Sequence, residues 1–437
     1  MTKLTFPISR IEGHAQVQIE VENGDVVQAY FQAIEMRGFS QFVVGTPAEQ
    51  MPVVTPRICG VCSTAHHVAS VKALEDVFEV EPTPLAKKIR ELLLLGQIIQ
   101  NQATSLFIFT MPDRLEVSSI FHIQEDEASE EVQFNIAQRA LRVRKAGTDL
   151  ITLAGGQFIH PIKAVVGGVT QGITREQADS TRQTLEKLLP GTCELFDYYW
   201  EMSMRMKDRI GSWGDDAPAY YIASTSSEKP TYDTELIRVM GPNGKMRKSF
   251  RAKDFRDHLD YQTTDYSYAG QTSYDGEVIR ANSLARINMM SKMGTECADK
   301  YLNRLIETFG KPAHPIMLFD LCRGIELVYA LERALEILEE PLDQDELAVP
   351  YKPRDGEGFG LVEAPRGPLI HHYLVEKNKI RQAEFVIPTV HNMLAIERAL
   401  KVAAKRYVSG ECIQMELENA VGRVVRAFDP CIACATQ

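Results

Sequence analysis

The chain lacks a basic excess: lysine and arginine number 48 against 59 acidic residues, a formal net charge of −11. Without a basic run, nucleic acid and anionic membrane are poor partners. Long apolar runs are also missing. The longest, such as Leu92-Leu93-Leu94-Leu95, fall far short of the roughly 20 residues that span a bilayer. Met1-Thr2-Lys3-Leu4-Thr5-Phe6-Pro7 has no signal-peptide core. There is no low-complexity tract and no internal repeat. What is present is ordinary globular composition, 44% hydrophobic and 24% charged, which excludes disordered and fibrous classes. The expectation is a cytoplasmic globular protein. At 437 residues, length alone allows one large domain or two or three smaller ones.

Cysteine is sparse, and its placement is informative. Of eight cysteines, Cys193, Cys297, Cys322 and Cys412 stand alone in apolar or helical contexts and read as inert thiols. Cys59 and Cys62 form one C-x-x-C pair, and Cys431 and Cys434 form another. In a reducing compartment such pairs read as redox or metal sites before disulfides. Four thiolates suit zinc, iron in clusters, or nickel. The pairs lie 369 positions apart, so only the tertiary fold can unite them. Spacing alone favours structural zinc or two unrelated pairs. A thioredoxin-like motif is weaker, since no βαβ unit surrounds either.

The periodicity predicts mostly helix behind a β-rich start. Val17, Ile19 and Val21 alternate with polar residues, Asn23-Gly24 is a type I′ hairpin signal, and residues 26–31 supply the returning strand. Pro84 opens a long apolar helix toward Phe109, ended by Met111-Pro112-Asp113. Thr174-Arg175-Glu176-Gln177 reads as a capping box, with its helix stopping near Pro190 and another following from Cys193 to Arg209. Residues 213–275 are rich in Tyr, Ser, Thr, Asp and Pro. They read as an inserted polar excursion with a small hairpin. Helices are expected near 280–293, 295–309, 324–338, 392–406 and 415–428, with 349–390 irregular and holding short strands. Asp429-Pro430 ends the last helix.

The residues around the cysteines say more. The first pair sits in Arg57-Ile58-Cys59-Gly60-Val61-Cys62-Ser63-Thr64-Ala65-His66, the second in Asp429-Pro430-Cys431-Ile432-Ala433-Cys434-Ala435-Thr436-Gln437. Arg10-Ile11-Glu12-Gly13-His14 stands near the N-terminus. Gly38, Ile159-His160-Pro161, Gly167-Gly168, Ala364-Pro365-Arg366-Gly367 with His371-His372, and Pro388-Thr389 follow in order. Together they resemble the large, catalytic subunit of nickel–iron hydrogenases over the whole chain. They look most like the cytoplasmic branch that feeds soluble acceptors.

The resemblance implies one large-subunit domain, 1–437, mainly α with an α+β periphery. A central helix bundle would carry the N-terminal β region at 1–40, the excursion at 213–275 and a metal-binding tail at 429–437. It implies a nickel–iron centre with carbon monoxide and two cyanides on iron. Cys59 and Cys431 would be terminal nickel ligands, and Cys62 and Cys434 would bridge nickel to iron. Cys431 would accept the proton from hydrogen cleavage and Glu12 would relay it outward. Arg366 would sit over the open site. Pro365, Thr389, Asp429 and His66 would surround the metal group, with Thr389 on a cyanide and Asp429 paired to Arg366. Taken alone, Glu12 is a surface carboxylate, Arg366 a loop cation, Thr389 a cap, Asp429 a helix stop and His66 a core histidine. His14, His67, His371 and His372 read as structural.

Three positions depart from the family pattern. Ser40 follows Arg37-Gly38-Phe39 where a glutamate is usual, and Gln437 ends the chain where a histidine is usual. In many relatives those residues help hold a peripheral magnesium or iron. Losing a carboxylate and an imidazole removes the strongest donors, so that site is not expected to be filled in the usual way. Asn101 stands where many relatives carry an aspartate above the active site. Precursors in the family commonly carry a C-terminal extension that is removed after metal insertion. A chain ending three residues past Cys434 is then either the processed form or the product of a gene without one.

The remaining cysteines are not in a cluster-like arrangement, so electrons must leave through another chain. The resemblance implies an iron–sulfur small subunit, with further electron-transfer subunits behind it. The competing functional reading is a hydrogen-sensing regulatory subunit with the same site and slow turnover. A component of the related respiratory quinone reductases is disfavoured by the intact cysteine set. A zinc scaffold would show zinc and no nickel.

Overall fold

Asn23 and Gly24 both adopt positive φ, 52° and 85°, as the hairpin signal requires. The computed structural model describes all residues except 122–129, 211, 212, 216, 218, 344, 345, 410, 411 and 414. The hairpin joins β2 (Ala15–Glu22) to β3 (Asp25–Ala33), and β1 (Thr2–Pro7), which the alternation did not reveal, pairs antiparallel with β2.

The helical body begins with α1 (Ser63–Phe78) and α2 (Pro84–Ala103). The Thr83 hydroxyl caps α2 by accepting the Ala86 N–H, and Pro84 occupies the first turn, where no N–H is needed. Helical structure continues from α2 through a π turn at Thr104–Thr110 and a last turn at Met111–Arg114. This stretch, Pro84–Arg114, is long and apolar enough to cross a membrane, against the expectation from short apolar runs; 83% of its most apolar window is buried inside the fold. It packs against α3 (Glu130–Gly155). The two backbones approach so closely that a Cβ on Gly147 would lie 2.4 Å from the Gln100 nitrogen.

The helix α4 (Arg175–Arg205) does not stop at Pro190. The capping box forms as expected, but one 31-residue helix replaces the two anticipated. A proline inside a helix costs about 3 kcal/mol. Burial of Leu185, Leu195, Phe196, Tyr199 and Trp200 on the same helix outweighs that cost. Residues 213–275 contribute more than a small hairpin. Strands β4 (Tyr220–Ala223), β5 (Leu236–Met240), β6 (Met246–Arg251), β7 (Asp260–Gln262), β8 (Gln271–Tyr274) and β9 (Glu277–Arg280) form a six-stranded sheet in the order β6-β5-β4-β9-β8-β7.

Then come α5 (Ser283–Met289), α6 (Glu296–Phe309) and α7 (Leu318–Glu339). From Leu318 to Leu331 every residue of α7 is buried, which makes it the core helix, and it contacts α2, α4, α5 and α6. Residues 356–386 are not irregular. They form a regular antiparallel sheet of β10 (Gly356–Ala364), β11 (Gly367–Glu376) and β12 (Lys379–Val386) packed on α1. Ala364 pairs with Gly367, so Pro365 and Arg366 are the two-residue tip of the β10–β11 hairpin. The chain closes with α8 (Pro388–Ala404) and α9 (Leu417–Phe428).

Candidate metal centre

A 3₁₀ turn at Thr55–Ile58 leads into Cys59, which is extended, and Cys62 sits immediately before α1. Both cysteines therefore lie at the positive end of a 16-residue helix, a place that favours thiolate. At the other end of the chain, Asp429 closes α9 in the left-handed conformation (φ 48°). Pro430 follows, and Cys431 enters a short turn at Ile432–Ala435 that presents Cys434. Glu12 bridges to this tail: its carbonyl accepts the Ile432 N–H at 3.2 Å. The contact depends on Gly13, whose φ is 79° and where a Cβ would lie 2.8 Å from the Ile432 Cβ. The preceding segment is anchored by ions. Asp113 accepts Arg10 at 2.6 Å and Arg426 at 2.7 Å.

The four sulfurs converge. Cys59 lies 3.2 Å from Cys62 and 3.3 Å from Cys431; Cys434 lies 3.4 Å from Cys62 and 2.9 Å from Cys431. All four are buried, and their sulfurs lie within 4.8 Å of one another. Burial opposes ionisation of Cys59, but hydrogen bonds from Cys431, Cys434, Cys62 and the Cys62 amide outweigh it and hold its thiol well below the usual range. Burial pushes the Cys431 and Cys434 thiols well up. Such a packed set needs a cation to ionise fully.

The carboxylate of Glu12 accepts the Ala433 N–H at 3.0 Å and lies 3.2 Å from the Cys431 sulfur. Burial, then the nearby charge of Cys59, raises its pKa. The residue is half-buried, so it links the cluster to the surface. Opposite it, Arg366 Nη1 donates to the Cys62 sulfur at 3.5 Å and Nη2 to Asp429 at 3.0 Å, while Nε donates to the Asp429 carbonyl. Burial works against the Arg366 charge, but Asp429 and the cysteines overcome it, so the cation is permanent. Asn101 donates to the other Asp429 oxygen at 3.0 Å. The Thr389 hydroxyl accepts the Cys431 N–H at 3.0 Å. A cavity opens beside Cys62, Cys431 and Cys434, with no face on Cys59. Its walls include Pro365, Leu369, Ile387 and Pro388, with Arg366, Thr389 and His66 as polar members.

His66 places Nε2 3.4 Å from the Cys434 sulfur and Nδ1 2.9 Å from His371 Nε2. His371 was expected to be merely structural. Instead it joins His66 to Tyr373 at 2.7 Å, and Tyr373 donates to Ser70 at 2.9 Å. Burial lowers the His66 pKa to about 4, so the ring is neutral at pH 7. Alternation along β11 was the available signal: residues 371 and 373 share one face. His14 and His372 pair instead with Glu35 and Glu357. Gln102, Arg286 and Glu326 also escaped sequence reasoning, because nothing local marks a buried ion pair.

The C-terminal residues fold back onto the 37–39 segment. Gln437 Oε1 accepts the Phe39 N–H at 3.3 Å, and its amide nitrogen donates to the Ala433 carbonyl. The Thr436 carbonyl accepts the N–H groups of Arg37 and Gly38 at 2.9 and 3.1 Å. The terminal side chain is spent on backbone. Among the described residues, the four cysteines are the one group of three or more Cys, His, Asp or Glu placed to hold an ion.

Soft thiolate donors, a helix terminus, and a small cavity bordered by Cys62, Cys431 and Cys434 fit a nickel–iron centre. A closed structural zinc site would need neither the cavity nor the cation over it. Comparison with known proteins agrees. The profile of the nickel-dependent hydrogenases matches residues 37–139 and 219–437, and a HoxL-like profile matches residues 6–36. The chain is 31% identical to one component of the vhu F420-non-reducing hydrogenase of Methanocaldococcus jannaschii over 414 residues, 91% of this chain and 97% of that one. It is 28% identical to the beta component of the NAD-reducing hydrogenase HoxS of Cupriavidus necator, covering 98% and 93%. An NAD+-reducing [NiFe]-hydrogenase crystal structure superposes over the whole of both chains with a TM-score of 0.89 at 27% identity. The nickel–iron–selenium hydrogenase of D. vulgaris Hildenborough shares the fold, with a TM-score of 0.81 at 22% identity. With the four-cysteine site in place, these matches make the chain a member of the nickel-dependent hydrogenase family, a large, catalytic subunit that acts on hydrogen.

Proposed function

We propose that this chain catalyses the reversible cleavage of hydrogen into two protons and two electrons, and that the electrons pass to an iron–sulfur small subunit. The observation that carries the reading is the convergence of four sulfurs from both ends of the chain between Glu12 and Arg366. When bound, the nickel–iron centre supplies the soft Lewis-acidic site and the two-electron capacity. Cys59 and Cys431 would hold nickel alone, and Cys62 and Cys434 would hold both metals. The cavity borders Cys62 and Cys434, as that division asks, and Cys431 as well.

The chain's own groups handle the charge. The Cys431 sulfur takes a proton and passes it 3.2 Å to Glu12. The raised pKa of Glu12 lets it hold that proton and then release it toward the surface. Arg366 keeps a fixed positive charge over the cavity and costs no reorganisation during reaction. Asp429 orients Arg366. Pro365 and its apolar neighbours exclude water. Thr389 accepts the Cys431 N–H, and its own hydroxyl proton would be available to a cyanide on the iron. His66 presents a neutral ring to Cys434. Carbon monoxide and two cyanides complete the iron in this reading.

Electrons leave near Cys59. Gly60 is exposed beside it, and Val53, Ile159 and Ile162 place apolar side chains on the surface. His160 Nδ1 lies 3.1 Å from the Pro56 carbonyl and ties the 157–162 loop to that segment. An apolar face next to the cluster suits a docked small subunit. The name of the NAD-reducing relative supports a cytoplasmic complex with a soluble acceptor. Infrared spectroscopy with elemental analysis of the purified complex tests the reading. Carbon monoxide and cyanide stretching bands with nickel and iron are expected. Zinc alone, without bands, would sink it. Steady-state hydrogen-dependent dye reduction separates an enzyme from a slow sensor.

A further inference from the structure

Arg366 stands at the tip of a hairpin, the least constrained place in a sheet, yet its charge must sit over one edge of the cluster. Its long side chain carries large rotamer freedom. Two sets of contacts remove that freedom. On the side-chain side, Arg366 binds Asp429 and Asp429 binds Asn101. Asn101 Nδ2 also lies 3.3 Å from Gln102 Oε1, and Gln102 Nε2 donates to Glu326 at 2.6 Å. On the backbone side, Arg286 donates to the Ala364 carbonyl at 3.2 Å and to the Pro365 carbonyl at 2.8 Å. These are the two residues before Arg366. Arg286 is itself gripped by Glu326, at 2.5 and 2.7 Å, and by Glu363, at 2.8 Å. The two arms therefore meet at Glu326 and close into a ring.

We propose that Asn101, Gln102, Glu326 and Arg286 are positioning residues for hydrogen activation, closing a hydrogen-bonded ring that fixes Arg366 over the Cys62 edge of the cluster. The members come from three elements: α2 carries 101 and 102, α5 carries 286, and α7 carries 326. All four are buried, so solvent does not loosen the links. A buried pair of two carboxylates on one arginine is costly to build, and replacing it by apolar residues is often neutral for stability. Its value here is placement. The two carboxamides transmit orientation without bringing charge to Asp429. The surplus negative charge of Glu326 and Glu363 over Arg286 is kept away from the cluster.

The proposal rests on the reading of Arg366 given above, so the test begins with Arg366→Lys in the purified complex. A wild-type kcat there would overturn the reading of Arg366 itself. With that variant impaired, Gln102→Met and the isosteric Glu326→Gln test the ring. Each is expected to lower kcat about 10-fold, with nickel and iron content unchanged. A crystal structure of each should show Arg366 Nη1 moved from its 3.5 Å contact with Cys62. In the Arg366→Lys background the same substitutions should add little. An unmoved Arg366, a kcat equal to wild type, or the same fold-loss in both backgrounds would overturn the ring. Gln102→Met changes no charge and keeps the test alive if Glu326→Gln does not fold.

Discussion

Glu12 lies 3.2 Å from the Cys431 sulfur and is itself half-buried. Glu12→Gln keeps the shape and the Ala433 contact but cannot carry a proton. Hydrogen-dependent dye reduction is expected to fall by roughly 10²–10⁴-fold, with both metals retained by elemental analysis. A second residue governs stability in acid. His67 Nδ1 donates to the Pro52 carbonyl at 2.8 Å, and Nε2 accepts the Ala164 N–H at 3.2 Å. Only the neutral ring satisfies both. Burial lowers its pKa from 6.5 to about 4. Below pH 6.5 the unfolded chain binds a proton that the folded chain refuses. Stability from this site is therefore whole above pH 6.5 and is lost as pH falls toward about 4, by about 1.4 kcal/mol per pH unit. Denaturant unfolding of His67→Gln across that range should give a curve flatter by that slope. The cysteines, Glu12 and Arg366 were legible because short motifs carry them. His371, Gln102, Arg286 and Glu326 were not, because each matters only through a partner remote in sequence.

At the scale of elements, sequence reading worked where caps and turns are local. The capping box at Thr174, the proline start of α2 and the Asn23-Gly24 turn all formed. It failed where tertiary packing overrides a local cost. Pro190 is exposed, and α4 passes through it because the helix face on either side is buried against α7. Pro190→Ala removes a cost and loses no packing. Stability should rise by about 1–3 kcal/mol, read as a higher denaturant midpoint with an unchanged slope. A lower midpoint would mean that the ring itself packs. The regularity of the β10–β12 sheet was also missed, because its central strand is buried on both faces and shows little polar alternation: β11 is buried from Gly367 to Tyr373. That burial makes the hairpin rigid enough to carry Arg366 at its tip.

On the whole molecule, the apolar face proposed for docking carries the exposed side chains of Val53, Ile159 and Ile162, and Gly60, next to Cys59, is exposed as well. Ile159→Glu places a charge in that face. Co-purification of the small subunit should be lost and hydrogen-dependent dye reduction with it, while the isolated chain keeps its thermal unfolding midpoint. Retained co-purification would put the electron exit elsewhere. The sulfur cluster itself closes the whole chain into a loop. Cys59 and Cys62 lie at least 369 positions before Cys431 and Cys434, so no fragment carrying one pair alone holds the complete donor set. The stretch from Asp429 onward is a clasp: the Thr436 carbonyl and the Gln437 side chain fasten it to residues 37–39, and the two ends of the molecule are held together at the place that needs both.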